Sequence, residues 1–85
     1  MRTFNEIHEN VLKGIEELKS LSSGNVESRV YYIKRKSILE EIIGNIDEGM
    51  RLYPTSIPMY SMLKSRVQSS INIMNLADQV GVVNR

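Results

Sequence analysis

Apolar residues recur every three or four positions along most of the chain, and three runs of this spacing predict three helices. In the first run Phe4, Ile7, Val11, Leu18 and Leu21 mark one face of a helix over about residues 4 to 21. Thr3 and Glu6 stand at capping-box spacing at its start, and Ser22-Ser23-Gly24 ends it, with Gly24 suited to a left-handed terminal position. Gly14 lies on the apolar seam, where a missing side chain lets a neighbouring backbone come close.

The second run predicts a long helix from Asn25, as its cap, to Leu52, because Pro54 disfavours helical geometry at Tyr53. Its length would be about 40 Å. Ile38, Leu39, Ile42, Ile43, Ile46, Met50 and Tyr53 share one broad face, flanked further back by Tyr31 and Tyr32. Val26, Val30 and Ile33 fall on the opposite side and form a candidate interface. Gly44 and Gly49 weaken the C-terminal half, and a break near Gly44 would give four shorter helices instead of three.

Thr55 or Ser56 is positioned to cap a third helix that carries Pro58 in its first turn and runs to about Val80. Two adjacent apolar rows appear on it. One comprises Tyr60, Leu63, Val67, Ile71, Met74 and Ala77; the other comprises Met59, Met62, Ile73, Leu76 and Val80. A single hairpin partner cannot cover both rows. Ser61, Ser65 and Ser69 add a stripe of small side chains, and Gly81-Val82-Val83 has the pattern of a helical stop. The fold class expected is all-α, one domain over residues 1–85: a small three-helix bundle, or a long helical hairpin with a shorter N-terminal helix.

Size sharpens this picture. A chain of 85 residues buries only about 60 to 65% of the surface its unfolded form exposes, so a thin core favours homo-oligomerisation. The absence of cysteine excludes disulfides, thiolate metal sites and a catalytic thiol. The polar, acidic start Met1-Arg2-Thr3-Phe4-Asn5-Glu6 does not open as a signal peptide, and no apolar run has the length of a membrane span, so the expected location is cytoplasmic. Eleven Lys and Arg against ten Asp and Glu leave a net charge of +1. That balance argues against tracking an extended nucleic acid and confines any anion site to a local cluster.

Catalytic equipment is sparse. The only histidine, His8, stands among acidic neighbours and reads as a surface residue, with no partner for zinc or for a nucleophile. Glu16-Glu17, Glu40-Glu41 and Asp47-Glu48 are adjacent in sequence, which on a helix points them about 100° apart and away from a shared-proton geometry. No metal, cofactor or enzymatic activity is expected.

One local cluster does carry chemistry. Tyr31-Tyr32-Ile33-Lys34-Arg35-Lys36 combines rings that stack on bases with cations that neutralise phosphates. Arg35 falls near the middle of the face set by Ile38, Leu39 and Ile42, and Arg66 interrupts the row of Met59, Met62, Ile73 and Leu76. A cation centred on an apolar stripe needs a partner or a ligand. The bland alternative is that the tyrosines pack at a rim and Lys34, Arg35 and Lys36 face solvent near Glu40 and Glu41.

From Ser61 the run SMLKSRVQSSINIMNLA resembles the C-terminal helix of the phage anti-CBASS sponges, small proteins that sequester cyclic oligonucleotide signals of bacterial antiviral systems. Pro54, Ser61, Lys64, Arg66, Val67-Gln68, Ser69-Ser70 and Asn75-Leu76-Ala77 occupy the matching places, over the last third of the chain. Pro58-Met59-Tyr60 stands where the family tends to have an Arg-Glu pair, and Ile73 replaces an aromatic residue. The resemblance implies a homo-oligomer, such as a hexamer, that holds cyclic di- or trinucleotides between protomers without performing chemistry. Tyr31 and Tyr60 would then meet bases, and Lys34, Arg35, Lys64 and Arg66 would meet phosphates. The competing expectation is a protein-interaction module, of the inhibitor or bacteriocin-immunity kind, that presents Val26, Val30 and Ile33 to another protein.

Overall fold

In the computed structural model the described residues are 1–24 and 27–79, with side chains described as far as residue 76. They form three helices, α1 (Phe4–Ser23), α2 (Ser28–Leu52) and α3 (Ile57–Gln79), with a single 3-10 turn at Pro54–Ser56 between the last two. Among the described residues there is no strand. The predicted helical stop at Gly81-Val82-Val83 and the predicted cap Asn25 lie outside the described residues.

The helix ends follow local chemistry, partly as expected. At the start of α1 the Thr3 hydroxyl accepts from the Glu6 N–H at 3.2 Å, while the Thr3 N–H donates to the Glu6 carboxylate at 3.0 Å, which completes the capping box. The other end differs from expectation. Gly24 is extended, with φ −83° and ψ 160°, and not left-handed. Its N–H donates to the Leu21 carbonyl at 3.3 Å, so a tight last turn closes the helix without a reversal that only glycine would tolerate.

The long helix is unbroken through Gly44 and Gly49. Gly49 is retained in the helix by packing: a Cβ there would lie 2.6 Å from the Tyr60 ring, so the missing side chain makes room for α3. After Leu52 the backbone leaves helical geometry at Tyr53, and Pro54 opens the 3-10 turn. Ser56 does not cap α3 as predicted. Its buried hydroxyl donates to the carbonyls of Tyr53 at 2.8 Å and Gly49 at 3.3 Å, satisfying acceptors that the end of α2 leaves orphaned. The residue that looks like a start for one helix therefore closes the previous one.

Successive helices run antiparallel, with α2 packed against both of its neighbours. The residues that mark the α1–α2 seam are Gly14 and Ile42, where a Cβ on the glycine would fall 2.6 Å from the isoleucine Cγ1. The core gathers Ile7 and Val11 from α1, Leu39, Ile42 and Ile46 from α2, and Tyr60, Val67, Ile71 and Met74 from α3. Of the two apolar rows predicted on α3, the one containing Tyr60, Val67, Ile71 and Met74 is buried. The described members of the other remain in solvent: Met59, Met62, Ile73 and Leu76 are about half to two-thirds exposed, and Val80 lies outside the described residues. The molecule is long and narrow, 43 × 24 × 19 Å.

Candidate functional site

The six predicted ligand residues divide into two groups at different levels of the bundle. Tyr31, Lys34 and Arg35 lie in the first two turns of α2, at the end where α1 turns into α2. Tyr31 is half-buried, and its hydroxyl is 3.4 Å from that of Ser22 across the turn. Lys34 is exposed, and Arg35 is half-buried on the side that leads into Ile38, Leu39 and Ile42. Neighbouring Tyr32 is used structurally, donating its hydroxyl to the Met74 carbonyl at 3.2 Å and tying α2 to α3. On the outer side Val30 and Ile33 are exposed, as the interface reading expects; Val26 lies outside the described residues.

The α3 group is arranged differently. Tyr60 was expected to stack on a ligand, but it is fully buried. Its ring stacks on His8 at 5.9 Å and on Phe4 at 5.7 Å, and its hydroxyl is 2.7 Å from His8 Nδ1. A tyrosine in the middle of an apolar row packs there, and Gly49 supplies the space. Burial also raises the Tyr60 phenol above its ordinary pKa, so it stays neutral. Tyr60 is therefore removed from the ligand set. Lys64 has a local partner, its Nζ lying 2.6 Å from the Asp47 carboxylate. Arg66, two residues on and so about 200° around the helix, is exposed on the outer apolar row.

The Lys64–Asp47 pair sets the distance between the groups. Asp47 follows Lys34 by thirteen residues on one continuous helix, a rise of about 20 Å. One chain does not bring Lys34 and Arg35 together with Lys64. Beside Lys64 an open groove of about 500 Å³ runs between α2 and α3, lined by Met50 and by the polar side chains of Ser61, Ser65, Gln68, Ser69 and Asn72. The small-residue stripe is therefore the wall of a groove.

The bundle end far from Tyr31 holds an arrangement that periodicity does not announce. Arg2, before α1, donates from Nε and Nη2 to both carboxylate oxygens of Glu48, at 3.2 and 2.5 Å, and from Nη2 to Asn45 Oδ1 at 2.8 Å. These hydrogen bonds hold the Glu48 carboxyl below its ordinary range. The Tyr53 hydroxyl donates to the Arg2 carbonyl at 2.8 Å, and Phe4 meets Tyr53 edge-on at 5.8 Å. His8, expected at the surface, is half-buried in this cluster and stacks on Phe4 at 5.5 Å. The available signal was the Phe4-His8 spacing of four, which places two flat rings on one helix face.

Among the described residues no three His, Asp or Glu side chains converge as a metal site, and no helix is long and apolar enough to cross a membrane. A partly enclosed cleft of about 140 Å³ between α1 and α2 beside Gly14 is lined largely by polar groups of both charges, Lys13, Glu17 and Glu41 among them. The chain matches no family model, no curated protein and no solved structure.

Proposed function

We propose that this protein is a non-enzymatic helical binding module that acts as a cytoplasmic homo-oligomer and captures cyclic di- or trinucleotides between protomers. The observation that carries the reading is the separation of the cations along the bundle: Lys64 pairs with Asp47, about 20 Å along α2 from Lys34, and Arg66 stands about 13 Å from the level of Arg35 on the outer row of α3. Arg66 faces outward from α3 while Arg35 lies on the inward side of α2, so a compact ligand that meets both is best held between two chains. Tyr31 offers a half-exposed ring for a base, Lys34 and Arg35 offer cations for one phosphate, and Arg66 comes from a neighbouring protomer. Lys64 contributes less, because Asp47 already neutralises it. The likeness of the α3 sequence to phage sponge proteins supplies the ligand class.

Calorimetry with a panel of cyclic dinucleotides and trinucleotides tests the reading. Binding that weakens at least tenfold in both Arg35→Ala and Arg66→Ala is the expected result. No heat from any member of the panel overturns the ligand, and a clean monomer in light scattering overturns the assembly. A hexamer or other closed ring fits it.

The exposed pair Val30 and Ile33 favours a second reading, a module that docks a different protein on the outer face of α2. In that case Val30→Glu abolishes a stable complex in a pull-down, while Arg66→Ala leaves it intact.

A further inference from the structure

The outer row of α3 has a regularity that defines its partner. Met59, Met62, Arg66, Ser69, Ile73 and Leu76 follow one another at intervals of three, four, three, four and three. This is the spacing of a coiled-coil seam. All six are exposed, while the core row beside them is buried against α2. The seam therefore lies on a helix already held in place by its own bundle, and among the described residues no other element covers it.

The row is also self-complementary when reversed. A two-fold axis crossing α3 between Val67 and Gln68 sets Met59 against Leu76 of a second copy, Met62 against its Ile73, and Arg66 against its Ser69. Four sulfur- or carbon-rich contacts then flank two contacts between a guanidinium and a hydroxyl. Displacing the helices by one heptad puts Arg66 against Leu76 or Met62. A parallel, in-register pair puts Arg66 against Arg66. Among these pairings only the reversed, centred one gives each arginine a hydrogen-bonding neighbour and each apolar side chain an apolar one, and a polar residue inside such a seam is the usual means of fixing register.

The area is sufficient. Met59, Met62, Ile73 and Leu76 are 49, 67, 68 and 60% exposed. Together they present on the order of 400 to 500 Å² per chain, comparable to the largest apolar patch of an ordinary monomer. A two-fold contact doubles this to roughly the 1,000 Å² that a specific interface has to clear.

We infer that a second copy of this chain docks on the outer face of α3, antiparallel and centred between Val67 and Gln68. The contact rests on the self-association in the function proposed above and specifies one interface of it. It also places both Arg66 side chains within a few residues of the two-fold axis, where Ser69 takes one of the five N–H groups of each guanidinium and leaves the others for a phosphate.

The chain has no cysteine, so introduced ones report without interference. Met62→Cys and Ile73→Cys are prepared separately, oxidised alone and as an equimolar mixture, and read on a non-reducing gel. In the proposed contact two residues 62 lie eleven residues of helical rise apart, about 16 Å, beyond the reach of a disulfide. The expected result is no cross-link in either variant alone and a cross-linked dimer in the mixture. Cross-linking of each variant with itself indicates a parallel seam and overturns the proposal. Absence of any cross-link, in a protein that light scattering shows to be oligomeric, overturns this contact and leaves self-association standing. A monomer in light scattering overturns both. As a second measurement, Ile73→Glu, at an exposed position, is expected to keep the helical circular dichroism signal and to halve the mass of the smallest stable assembly; unchanged mass also overturns the contact.

Discussion

The ring of Tyr60 fills the space that a side chain at Gly49 would need: a Cβ would lie 2.6 Å from Tyr60 Cε2, 3.1 Å from its Cδ2 and 3.4 Å from the Ile7 methyl. The ring is fully buried and stacked on Phe4 and His8, so it has no room to withdraw. Gly49→Ala is expected to destabilise the fold despite the better helix propensity of alanine. Overpacking costs about 1 to 3 kcal/mol, which in a domain of this size lowers the melting temperature by roughly 5 to 15 °C. Gly44→Ala is the control, since nothing lies within 4 Å of its added methyl. It is expected to gain up to about 1 kcal/mol from helix propensity alone. Thermal denaturation followed by circular dichroism at 222 nm distinguishes the two.

The hydroxyl of Tyr60 gives a second prediction. Tyr60→Phe keeps the ring in place and removes the 2.7 Å hydrogen bond to His8. The expected loss is about 0.5 to 1.5 kcal/mol in urea denaturation, the ordinary net value of one such bond. Nucleotide affinity, if the proposed function holds, does not change, because the residue is enclosed; a loss of binding at unaltered stability would return Tyr60 to the ligand set.

Acid is expected to loosen the bundle at the end occupied by Arg2. Both Glu48, through its hydrogen bonds from Arg2, and Glu6, through its hydrogen bond from the Thr3 backbone, have carboxyl pKa values below the ordinary one. A group depressed in the folded state adds stability that is full above its unfolded pKa, near 4.3, and is lost as pH falls through the lower folded value. The urea midpoint should therefore decline below about pH 5. In Glu48→Gln the decline becomes shallower, and an unchanged slope would show that the Arg2 clamp does not contribute.

The ion pair between Lys64 and Asp47 is short, 2.6 Å, but both side chains are more than a third exposed. Exposed pairs of this kind contribute little because water screens them. A double-mutant cycle with Lys64→Ala and Asp47→Ala is expected to return less than about 1 kcal/mol. A value well above that would mean that the groove beside Lys64 excludes water more than its openness implies.

Much of the fold was legible because it follows helix periodicity. The capping box at Thr3, the seam through Gly14, the continuous α2 and the existence of two apolar rows on α3 each depend on residues within a turn or two of one another. What periodicity could not give was distance between elements. Arg2 and Glu48 are forty-six residues apart, and His8 and Tyr60 fifty-two, and no local pattern pairs them. Helix ends were misread for a related reason. Gly24 and Ser56 have the right chemistry for a terminus, but which carbonyl each serves depends on where the chain goes next. The candidate site was partly legible: the sequence identified Lys34, Arg35 and Arg66 as cations needing explanation, but assigning Tyr60 to the same site required knowing which of two apolar rows faced inward.

The helices lie across the bundle in the order in which they occur along the chain, with α2 between α1 and α3. Contacts between neighbours in sequence close small loops, and chains built this way fold on microsecond to millisecond timescales. The two hairpins share α2 but differ in how they are completed: Gly14 meets Ile42 and Arg2 meets Glu48 within the first alone, while Phe4 and His8 can stack on Tyr60 only after both have formed. The aromatic end is thus a late checkpoint of assembly, and amides around Ile7 and Tyr60 should share a single slowest hydrogen-exchange rate that reports the global unfolding of the whole bundle.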